Sequence, residues 1–444
     1  MQVYFKAIRL VLCSMLLGSL VVTTAWFVPQ AGAQETVPES NDDGTVRYVS
    51  PSEARESDIV QRARDTGRTV EQVRQIALFE DAFRAYRSVL RTRYDDRIAG
   101  SWIEYEPVPK GYVRFVQEVP SEAIAALETF KILDTNNVIL LDDGTISLDN
   151  HFRRVELSAK ALVDLGYTNA EISYNQVEDQ LEIRLLLSED TSAPVVEDLA
   201  VAIQQQVNKD RRVAGQDALQ DTAATVDTND LNLLVERGSG PMIVLESAYG
   251  RAGEVVEGAE RCTSGWSVSG SKGDGILTAG HCDLVSEYWF PGGTPLDIEY
   301  VSSVFGSRGD VAYFETLQFP SEAKFYNGYQ IRDVTQLQRT KDMRNEEVCF
   351  YGRSSNDQRC GYMVEDVGAF AIIEDANGNE RTIGNLARVL NPHGITRGGD
   401  SGGPWFTYTT AWGTHVGTTE NDVFSYFMPV EEAQRELNVT IKTR

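Results

Sequence analysis

The sequence is short of positive charge. Its 444 residues include 41 Lys and Arg against 66 Asp and Glu, which gives a formal net charge of −25 at pH 7. Nucleic acids and anionic membranes are bound through a basic face, so this balance argues against either partner. Apolar residues make up 42% of the chain and charged residues 24%. This is the mix of an ordinary globular protein, and it excludes the collagen-like and wholly disordered classes.

Long apolar runs are also missing, with one exception at the amino terminus. Lys6 and Arg9 precede an apolar run over residues 10–22, and residues 31–33 (Ala-Gly-Ala) then form a small-residue cleavage pattern. This order predicts a secretory signal peptide over residues 1–33, which is removed on export. The alternative is a membrane anchor, which needs about 20 apolar residues. We therefore expect a secreted, extracellular protein with no further membrane span.

Cysteine is scarce, and the motif CxxC does not occur. Of the five cysteines, Cys13 lies in the predicted signal peptide, which leaves four in the exported chain. An even number of cysteines in an exported protein indicates disulfides. Sequence proximity favours the pairs Cys262 with Cys282 and Cys349 with Cys360, one of about three possible connectivities. We expect no zinc site and no cofactor, because the sequence has no motif for either.

The character of the sequence changes near residue 240, and a length of 444 residues suggests two or three domains. Residues 34–241 mix helical and alternating patterns and predict an α+β domain, with a linker near residues 210–241. Residues 242–444 have short runs and frequent turns, which predict an all-β domain that ends in one helix. Helices are predicted over residues 52–94, 156–165, 195–207 and 430–437, and strands in the first half over residues 101–105, 112–116, 171–174 and 181–187.

Three stretches of the second half carry residues that can do chemistry. Ser401 lies in the glycine-rich run GGDSGGP, where a serine can be presented on a tight turn. His281 lies in TAGHC beside a cysteine, and Asp310 opens the apolar strand DVAYF. Each alone has an ordinary explanation: a flexible loop, a core histidine and a solvated turn aspartate. Three other aspartates compete with Asp310: Asp274, Asp283 and Asp297.

Together the three residues occur in the chain order His281, Asp310, Ser401. This is the order of the chymotrypsin group, and it differs from the orders of subtilisin and of the α/β-hydrolases. With TAGHC and GGDSGGP, the sequence resembles the chymotrypsin-like serine peptidases. The stretch RCTSGWSV before TAGHC, and the cysteine loop 349–360, resemble the bacterial streptogrisin and α-lytic protease family. The resemblance covers about residues 242–444 and implies two antiparallel six-stranded β-barrels with the active site between them.

The resemblance also implies a role for each residue of the site. Ser401 would attack the scissile carbonyl, His281 would take and return its proton, and Asp310 would orient the imidazole. The backbone N–H groups of Gly399 and Ser401 would hold the oxyanion. Asp400 would pair within the fold and shape this oxyanion hole without being a member of the triad.

A substrate pocket is implied beside these motifs, with walls from residues 395–398, 414–418 and 425–427. Its candidate residues are Gly398, His415, Val416, Gly417, Thr418 and Phe427. Glutamate-preferring relatives carry a histidine at the position of His415, where it would meet an acidic side chain, and Thr418 would add a hydroxyl. Phe427 stands where some of these relatives have a second histidine, so a pocket for large apolar side chains is the alternative. Residues 416–418 would also pair their backbone with an extended substrate.

The first half resembles a pro-region. IAGSW (residues 98–102) is similar to a short stretch in the pro-regions of the same family. Residues 34–241 would assist the slow folding of an all-β domain and block its cleft. Cleavage would fall between about residues 237 and 244. The alternative is an independent binding domain that stays attached.

These features predict a secreted serine endopeptidase that is made as a zymogen and acts on proteins or peptides. Its own pro-region would be its folding helper and inhibitor, and no nucleic-acid or membrane partner is expected. Two other classes are alternatives. A non-catalytic binding protein on a protease scaffold usually loses a triad residue or the oxyanion glycine, and all of these are present here. An esterase-type serine hydrolase of the α/β class would carry its triad in another chain order.

Overall fold

The computed structural model describes residues 47–444, apart from residues 168, 189–190, 193, 214–230, 238–243, 246–254, 259–260, 283, 290–294, 318, 375–379, 393, 395 and 420–421. The predicted signal peptide and Cys13 therefore lie outside the described residues. All described residues belong to one compact unit, Ser40–Arg444. Within the described part, no helix has both the length and the apolar character needed to cross a membrane.

The helices lie mainly in the first half of the chain. They are α1 (Pro51–Thr66), α2 (Val70–Tyr94), α3 (Ser121–Leu127), α4 (Leu148–Asp164), α5 (Val196–Val213) and α6 (Val430–Leu437), with short 3₁₀ helices at Asp95–Arg97 and Thr340–Asp342. Ser50 and Thr69 form capping boxes that start α1 and α2. Between the two helices, Gly67 has φ +71°, a left-handed conformation that favours glycine. This glycine divides the single helical pattern predicted over residues 52–94 into two helices.

The strands of the first half are β1 (Arg47–Tyr48), β2 (Ile98–Glu104), β3 (Lys110–Val116), β4 (Val138–Gly144), β5 (Ala170–Asn175), β6 (Gln180–Leu187) and β7 (Leu231–Arg237). β2, β3 and β4 form a three-stranded sheet. This sheet packs against α2 through a buried cluster that includes Phe83, Val113 and Phe115. The predicted strands and helices of the first half thus occur, with different ends.

β7 falls inside the segment predicted as a linker. It pairs in parallel with β6, and Leu231 is opposite Leu181. Leu231, Leu233 and Val235 alternate along the strand, and all three pack into the apolar cluster beneath β5 and β6. Alternation with a period of two residues is the pattern of a half-buried strand. The polar composition of the preceding residues concealed this strand.

The strands of the second half are β8 (Val244–Leu245), β9 (Val255–Gly258), β10 (Arg261–Thr263), β11 (Ser267–Gly270), β12 (Gly273–Thr278), β13 (Val285–Trp289), β14 (Leu296–Gly306), β15 (Gly309–Thr316), β16 (Lys324–Tyr326), β17 (Gln330–Asp333), β18 (Gln336–Leu337), β19 (Glu347–Phe350), β20 (Arg359–Glu374), β21 (Glu380–Leu390), β22 (Pro404–Thr407), β23 (Thr410–Thr418), β24 (Phe424–Pro429) and β25 (Thr440–Ile441). The second half is therefore rich in strands, as predicted, and α6 lies between β24 and β25. β1, β17 and β16 form a small separate sheet.

Two large sheets organise the second half. One has eight strands in the order β10-β9-β13-β14-β15-β12-β11-β25. The other follows the path β19-β22-β23-β24-β21-β20-β5-β6-β7, and β19 also pairs with β20, so the six strands from β19 to β20 form a closed ring of pairings. One buried apolar cluster contains Leu277 and Val311 of the first sheet together with Val416 and Tyr426 of the second. The two sheets therefore share a core.

The first half joins the second by strand pairing and by buried ion pairs. β5 extends the large sheet by pairing with β20, where Ile172 is opposite Phe370. Asp58 of α1 accepts from Arg332 of β17 at 2.7 Å. Arg91 of α2 lies 2.5 Å from Asp342. These side chains are almost fully buried, so each charge depends on its partner.

Two carboxylates at this junction have lowered pKa values. Burial by itself would raise the pKa of Asp342, but the positive charge of Arg91 outweighs it and holds the pKa below the ordinary value of 3.8. Burial also opposes ionisation of Glu182 on β6. The nearby charges of Arg388 and Arg184 nevertheless keep the pKa of Glu182 below 4.5. Both carboxylates are therefore ionised in the folded chain at neutral pH.

We expect the folded chain to lose stability as the pH falls below about 4. The pKa values of Asp342 and Glu182 are lower in the folded than in the unfolded chain, so their contribution is complete above the unfolded pKa. It is lost as the pH falls through the folded pKa. Thermal unfolding between pH 7 and 3 measures this, and Asp342→Asn should show a shallower dependence. A Tm that is constant over this range would contradict the prediction.

Candidate active site

His281, Asp310 and Ser401 meet at one point of the structure. Nδ1 of His281 lies 2.7 Å from Oδ2 of Asp310, and Nε2 lies 2.9 Å from Oγ of Ser401. The backbone N–H of His281 donates to Oδ1 of Asp310 at 2.8 Å. Because a carboxylate accepts but does not donate, Nδ1 donates to Asp310, and Nε2 is left to accept from Ser401. Asp310 and Ser401 are fully buried, and the side chain of His281 is 7% exposed.

The sequence around His281 explains its position. His281 follows the end of β12, and the next residue, Cys282, forms a disulfide with Cys262 of β10. Gly280 before it must be glycine, because a Cβ there would lie 2.2 Å from a backbone oxygen of β14 and 2.8 Å from Oδ1 of Asp310. Asp310 is the second residue of β15, which pairs with β12. Neighbouring strands therefore bring the imidazole and the carboxylate together.

The two competing aspartates that the structure describes, Asp274 and Asp297, are engaged or exposed elsewhere. Asp274 lies in a partly exposed ion pair with Lys442, with 2.6 Å between Oδ1 and Nζ. Asp297 is exposed on β14. Asp283 lies outside the described residues. Of the candidates that the structure describes, Asp310 is therefore the one brought to the imidazole.

Ser401 lies on a turn that requires glycine on both sides. Gly399 and Gly402 have φ values of +96° and +89°. Thr263 of β10 holds the turn: its Oγ1 donates to Gly399 O, and its backbone N–H donates to Ser401 O, both at 2.8 Å. The backbone N–H of Gly403, in the same turn, donates to Asp400 O at 2.9 Å. Because the peptide is trans, the N–H of Ser401 points away from this carbonyl.

The buried carboxylate of Asp400 ties the turn to the loop closed by the second disulfide, residues 349–360. Its Oδ1 accepts from the backbone N–H groups of Ser354 and Ser355 at 2.7 and 3.0 Å. Its Oδ2 accepts from the N–H of Arg397 at 2.9 Å. Both disulfide pairings favoured by sequence proximity are present in the structure.

His415 is buried among aromatic rings. Its ring centroid lies 4.8 Å from that of Phe350 and 5.9 Å from that of Trp405. Nε1 of Trp405 lies 3.2 Å from Nδ1 of His415. An indole N–H can only donate, so Nδ1 accepts, and the neutral imidazole carries its proton on Nε2. Phe427 stacks on Trp405 at 5.3 Å and completes this aromatic group.

The side chains of the other predicted pocket residues contribute less to a pocket than the sequence predicted. Oγ1 of Thr418 donates to the carbonyl of Phe424 at 2.7 Å, so its hydrogen is directed within the sheet. The side chain of Val416 lies in the core shared by the two sheets. Its carbonyl, however, lies 3.4 Å from Oγ of Ser401. Gly398 is partly buried at the start of the Ser401 turn.

The end of β23 pairs with another segment of this chain. β8 lies antiparallel to it, with Leu245 opposite Gly417 and Val244 opposite Thr418. The sequence assigned this edge of β23 to an extended substrate. In the structure, two residues from the junction of the two halves occupy it.

Sequence reasoning missed two residues of the site. Thr263 orients the turn around Ser401, and Trp405 fixes the tautomer of His415. Thr263 stands directly after Cys262, and Trp405 directly after GGDSGGP. Their positions next to the motifs were the available signal, but their contacts depend on the folded arrangement.

Comparison with known proteins indicates which proteins the chain is similar to. No protein-family model matches the chain. Over 191 residues the chain is 25% identical to streptogrisin-C of Streptomyces griseus, a match that covers 42% of this chain and 39% of that protein. Over 191 residues it is 26% identical to serine protease 1 of Streptomyces fradiae, which covers 41% of this chain and 50% of that protein. The chain is therefore similar to chymotrypsin-like serine peptidases of bacteria.

The matches to this peptidase family are partial. The chain spans half or less of the length of these two curated relatives. A solved structure, Thermobifida fusca protease A, is 23% identical with a TM-score of 0.34 and covers 43% of this chain and 97% of its own.

Within this site, Asp400→Asn should lower the free energy of unfolding by about 1–3 kcal/mol. The reason is that an amide NH₂ would face backbone N–H groups that now donate to a carboxylate. Urea unfolding of the full-length chain measures the change. Asp274→Asn alters a partly exposed ion pair and is the matched control, expected to cost less than about 1 kcal/mol. Equal losses in the two variants would contradict a supporting role for Asp400.

Proposed function

We propose that the chain is a serine endopeptidase made as an inactive precursor. The observation that carries the proposal is the hydrogen-bonded series from Asp310 through His281 to Ser401. It puts a hydroxyl nucleophile, a base and a buried carboxylate in the order that acyl transfer requires. The similarity to streptogrisin-C and serine protease 1 supports the same class of reaction.

Each member of the series has one task in peptide hydrolysis. Ser401 Oγ attacks the carbonyl carbon of the substrate, and its proton passes to Nε2 of His281. Asp310 accepts from Nδ1, so it keeps the imidazole in the required tautomer and stabilises the imidazolium that forms. His281 then gives the proton to the leaving amine. Water hydrolyses the acyl-enzyme by the same route in reverse.

The oxyanion would be held by the backbone N–H groups of Gly399 and Ser401. The hydrogen bond from the backbone N–H of Gly403 to Asp400 O supports the assignment of Ser401, because the Asp400 carbonyl and the Ser401 N–H belong to one peptide plane. A donor of this kind is worth about 2.7–4 kcal/mol in the transition state. Asp400 is a positioning residue, since it holds the turn without facing the substrate.

The proposed fold of the catalytic half is a pair of β-barrels, with residues 242–444 as the serine protease domain. The closed ring from β19 to β20 is the second barrel, and the sheet that contains β12 and β15 is the first. His281 and Asp310 come from the first sheet, whereas Ser401 precedes β22 of the ring. The site then lies between the two barrels, where a substrate chain can enter.

Residues 34–241 are the proposed pro-region, and residues 1–33 the signal peptide of a secreted enzyme. Two contacts support a partner that both templates and inhibits: β5 extends the sheet of the catalytic half, and β8, which lies just after this region, occupies the edge of β23. Both contacts are specific strand pairings. An independent, attached binding domain has no need of the second contact.

Fluorophosphonate labelling tests the nucleophile. We expect the matured protein to be labelled and to cleave peptides, and Ser401→Ala to do neither. Asp310→Asn should fold and bind but lose about 10⁴-fold in kcat, because the imidazole tautomer is no longer imposed. Ser269→Ala, on β11, is the matched control and should keep full activity.

The outcomes separate the competing classes. Labelling without peptide cleavage, but with cleavage of esters, would favour an esterase-type hydrolase. A folded, matured protein that is neither labelled nor active would favour a non-catalytic binding protein.

A further inference from the structure

Three consecutive peptide planes form the turn around Ser401, and the middle one carries the Ser401 N–H. The plane before it joins residues 399–400, and its N–H donates to the carbonyl of Arg397 at 2.9 Å. The plane after it joins residues 401–402, and its N–H donates to the carbonyl of His415 at 2.8 Å. Both outer planes are therefore anchored at their N–H ends.

Thr263 anchors the carbonyl ends of the same two planes. Its Oγ1 donates to the carbonyl of Gly399, and its backbone N–H donates to the carbonyl of Ser401, both at 2.8 Å. Because a peptide unit is rigid and planar, hydrogen bonds at both ends fix its orientation. The motion left to the middle plane is rotation about the line between its two Cα atoms. The hydrogen bond from the N–H of Gly403 to Asp400 O opposes this rotation.

Thr263 is itself held by neighbouring segments. The backbone N–H of Arg353, in the loop 349–360, donates to Oγ1 of Thr263 at 3.1 Å. An N–H cannot accept, so the hydrogen of this hydroxyl is directed to the carbonyl of Gly399. The carbonyl of Thr263 accepts from Oγ1 of Thr278, on β12, at 2.9 Å. One nearly buried threonine therefore connects the Ser401 turn to the disulfide loop and to the strand that leads to the imidazole.

We propose that Thr263 is a positioning residue for the oxyanion hole, and that its hydroxyl determines where the Ser401 N–H points. The hydroxyl is used by two backbone groups and is buried, so it does not face a substrate. Its effect is expected in the transition state, where the oxyanion exists, and not in substrate binding. This inference rests on the proposed endopeptidase function and adds a residue to its machinery.

Thr263→Val tests the hydroxyl alone. Valine has nearly the same shape and keeps the backbone N–H that donates to Ser401 O, but the carbonyl of Gly399 loses its donor. We expect kcat of the matured enzyme for a peptide p-nitroanilide to fall about 10- to 100-fold. Removal of a whole oxyanion donor costs more, about 10²- to 10³-fold. KM should stay within about twofold, because the bound substrate carries no oxyanion.

A second pair of variants repeats the comparison in another steric setting. Thr263→Ser retains the hydroxyl and should keep kcat within about threefold of the wild type, whereas Thr263→Ala removes the hydroxyl again. The factor between these two variants should match the factor between the wild type and Thr263→Val. A peptidyl trifluoromethyl ketone binds as an oxyanion adduct, so its affinity should fall by the same factor in the two variants without the hydroxyl. Rates are divided by the number of sites that a fluorophosphonate labels at completion.

Thr316→Val is the matched control in the catalytic half. Oγ1 of Thr316 donates to the carbonyl of Asp274 at 3.2 Å, and the residue is nearly buried. It ends β15, whereas Asp310 lies at the other end of that strand. Both valine variants lose one buried hydroxyl and should lose stability in urea. The fall in kcat should occur in Thr263→Val and not in Thr316→Val.

The inference and the proposed function fail in different ways. An unchanged kcat in Thr263→Val, equal rates in Thr263→Ser and Thr263→Ala, or a rise in KM in place of the fall in kcat overturns the positioning role and leaves the endopeptidase intact. The same holds if neither variant without the hydroxyl folds, because the hydroxyl would then serve the fold itself. A wild-type protein that is not labelled by fluorophosphonate and cleaves no peptide overturns the proposed function.

Discussion

The turn that carries Ser401 is held from behind by the carboxylate of Asp400, and the geometry of the site depends on this contact. Asp400 accepts from two backbone N–H groups inside the disulfide loop 349–360. The opposite side of the same loop donates to Asp58 and Asp65 of α1, at 2.7 and 2.8 Å. The amino-terminal half and the Ser401 turn therefore contact the same loop from opposite sides. The disulfide between Cys349 and Cys360 closes this loop, so both contacts are made by one covalently closed segment.

The first half contacts the second at three places that are distant in sequence. α1 contacts the loop 349–360, β5 extends β20, and β1 pairs with β17. The strands of the second half pair largely with non-local partners, and such topologies fold slowly because each pairing must first close a long loop. Helices α1 and α2 form from local, capped sequence. If the first half folds first, as the proposed pro-region would, its three docking points would lower the entropy lost when the distant strands meet.

The sequence predicted those features that depend on residues close to one another in the chain. The helix α6, the strands β5 and β6 and both disulfide pairs agree with expectation, and the predicted His281, Asp310 and Ser401 lie within hydrogen-bond distance. The failures depend on tertiary partners. β7 and β8 are strands because each has the edge of a neighbouring strand to pair with. β8 has only two residues, so it carries no periodicity of its own. Likewise, the hydroxyl of Thr418 turns to a carbonyl of β24, which no spacing along the chain reveals.

Under the proposed precursor mechanism, the ionic character of the junction would determine how the halves part after the chain between them is cut. A buried pair such as Asp58 with Arg332 contributes little more than apolar contact would, because both charges are desolvated. Removing one partner is costly, since the other is left buried and uncompensated. Cleavage of a single peptide bond breaks none of these pairs. Separation of the halves would in addition have to re-expose these charges to water, so in the proposed precursor cutting the chain and separating the halves would be two distinct physical steps.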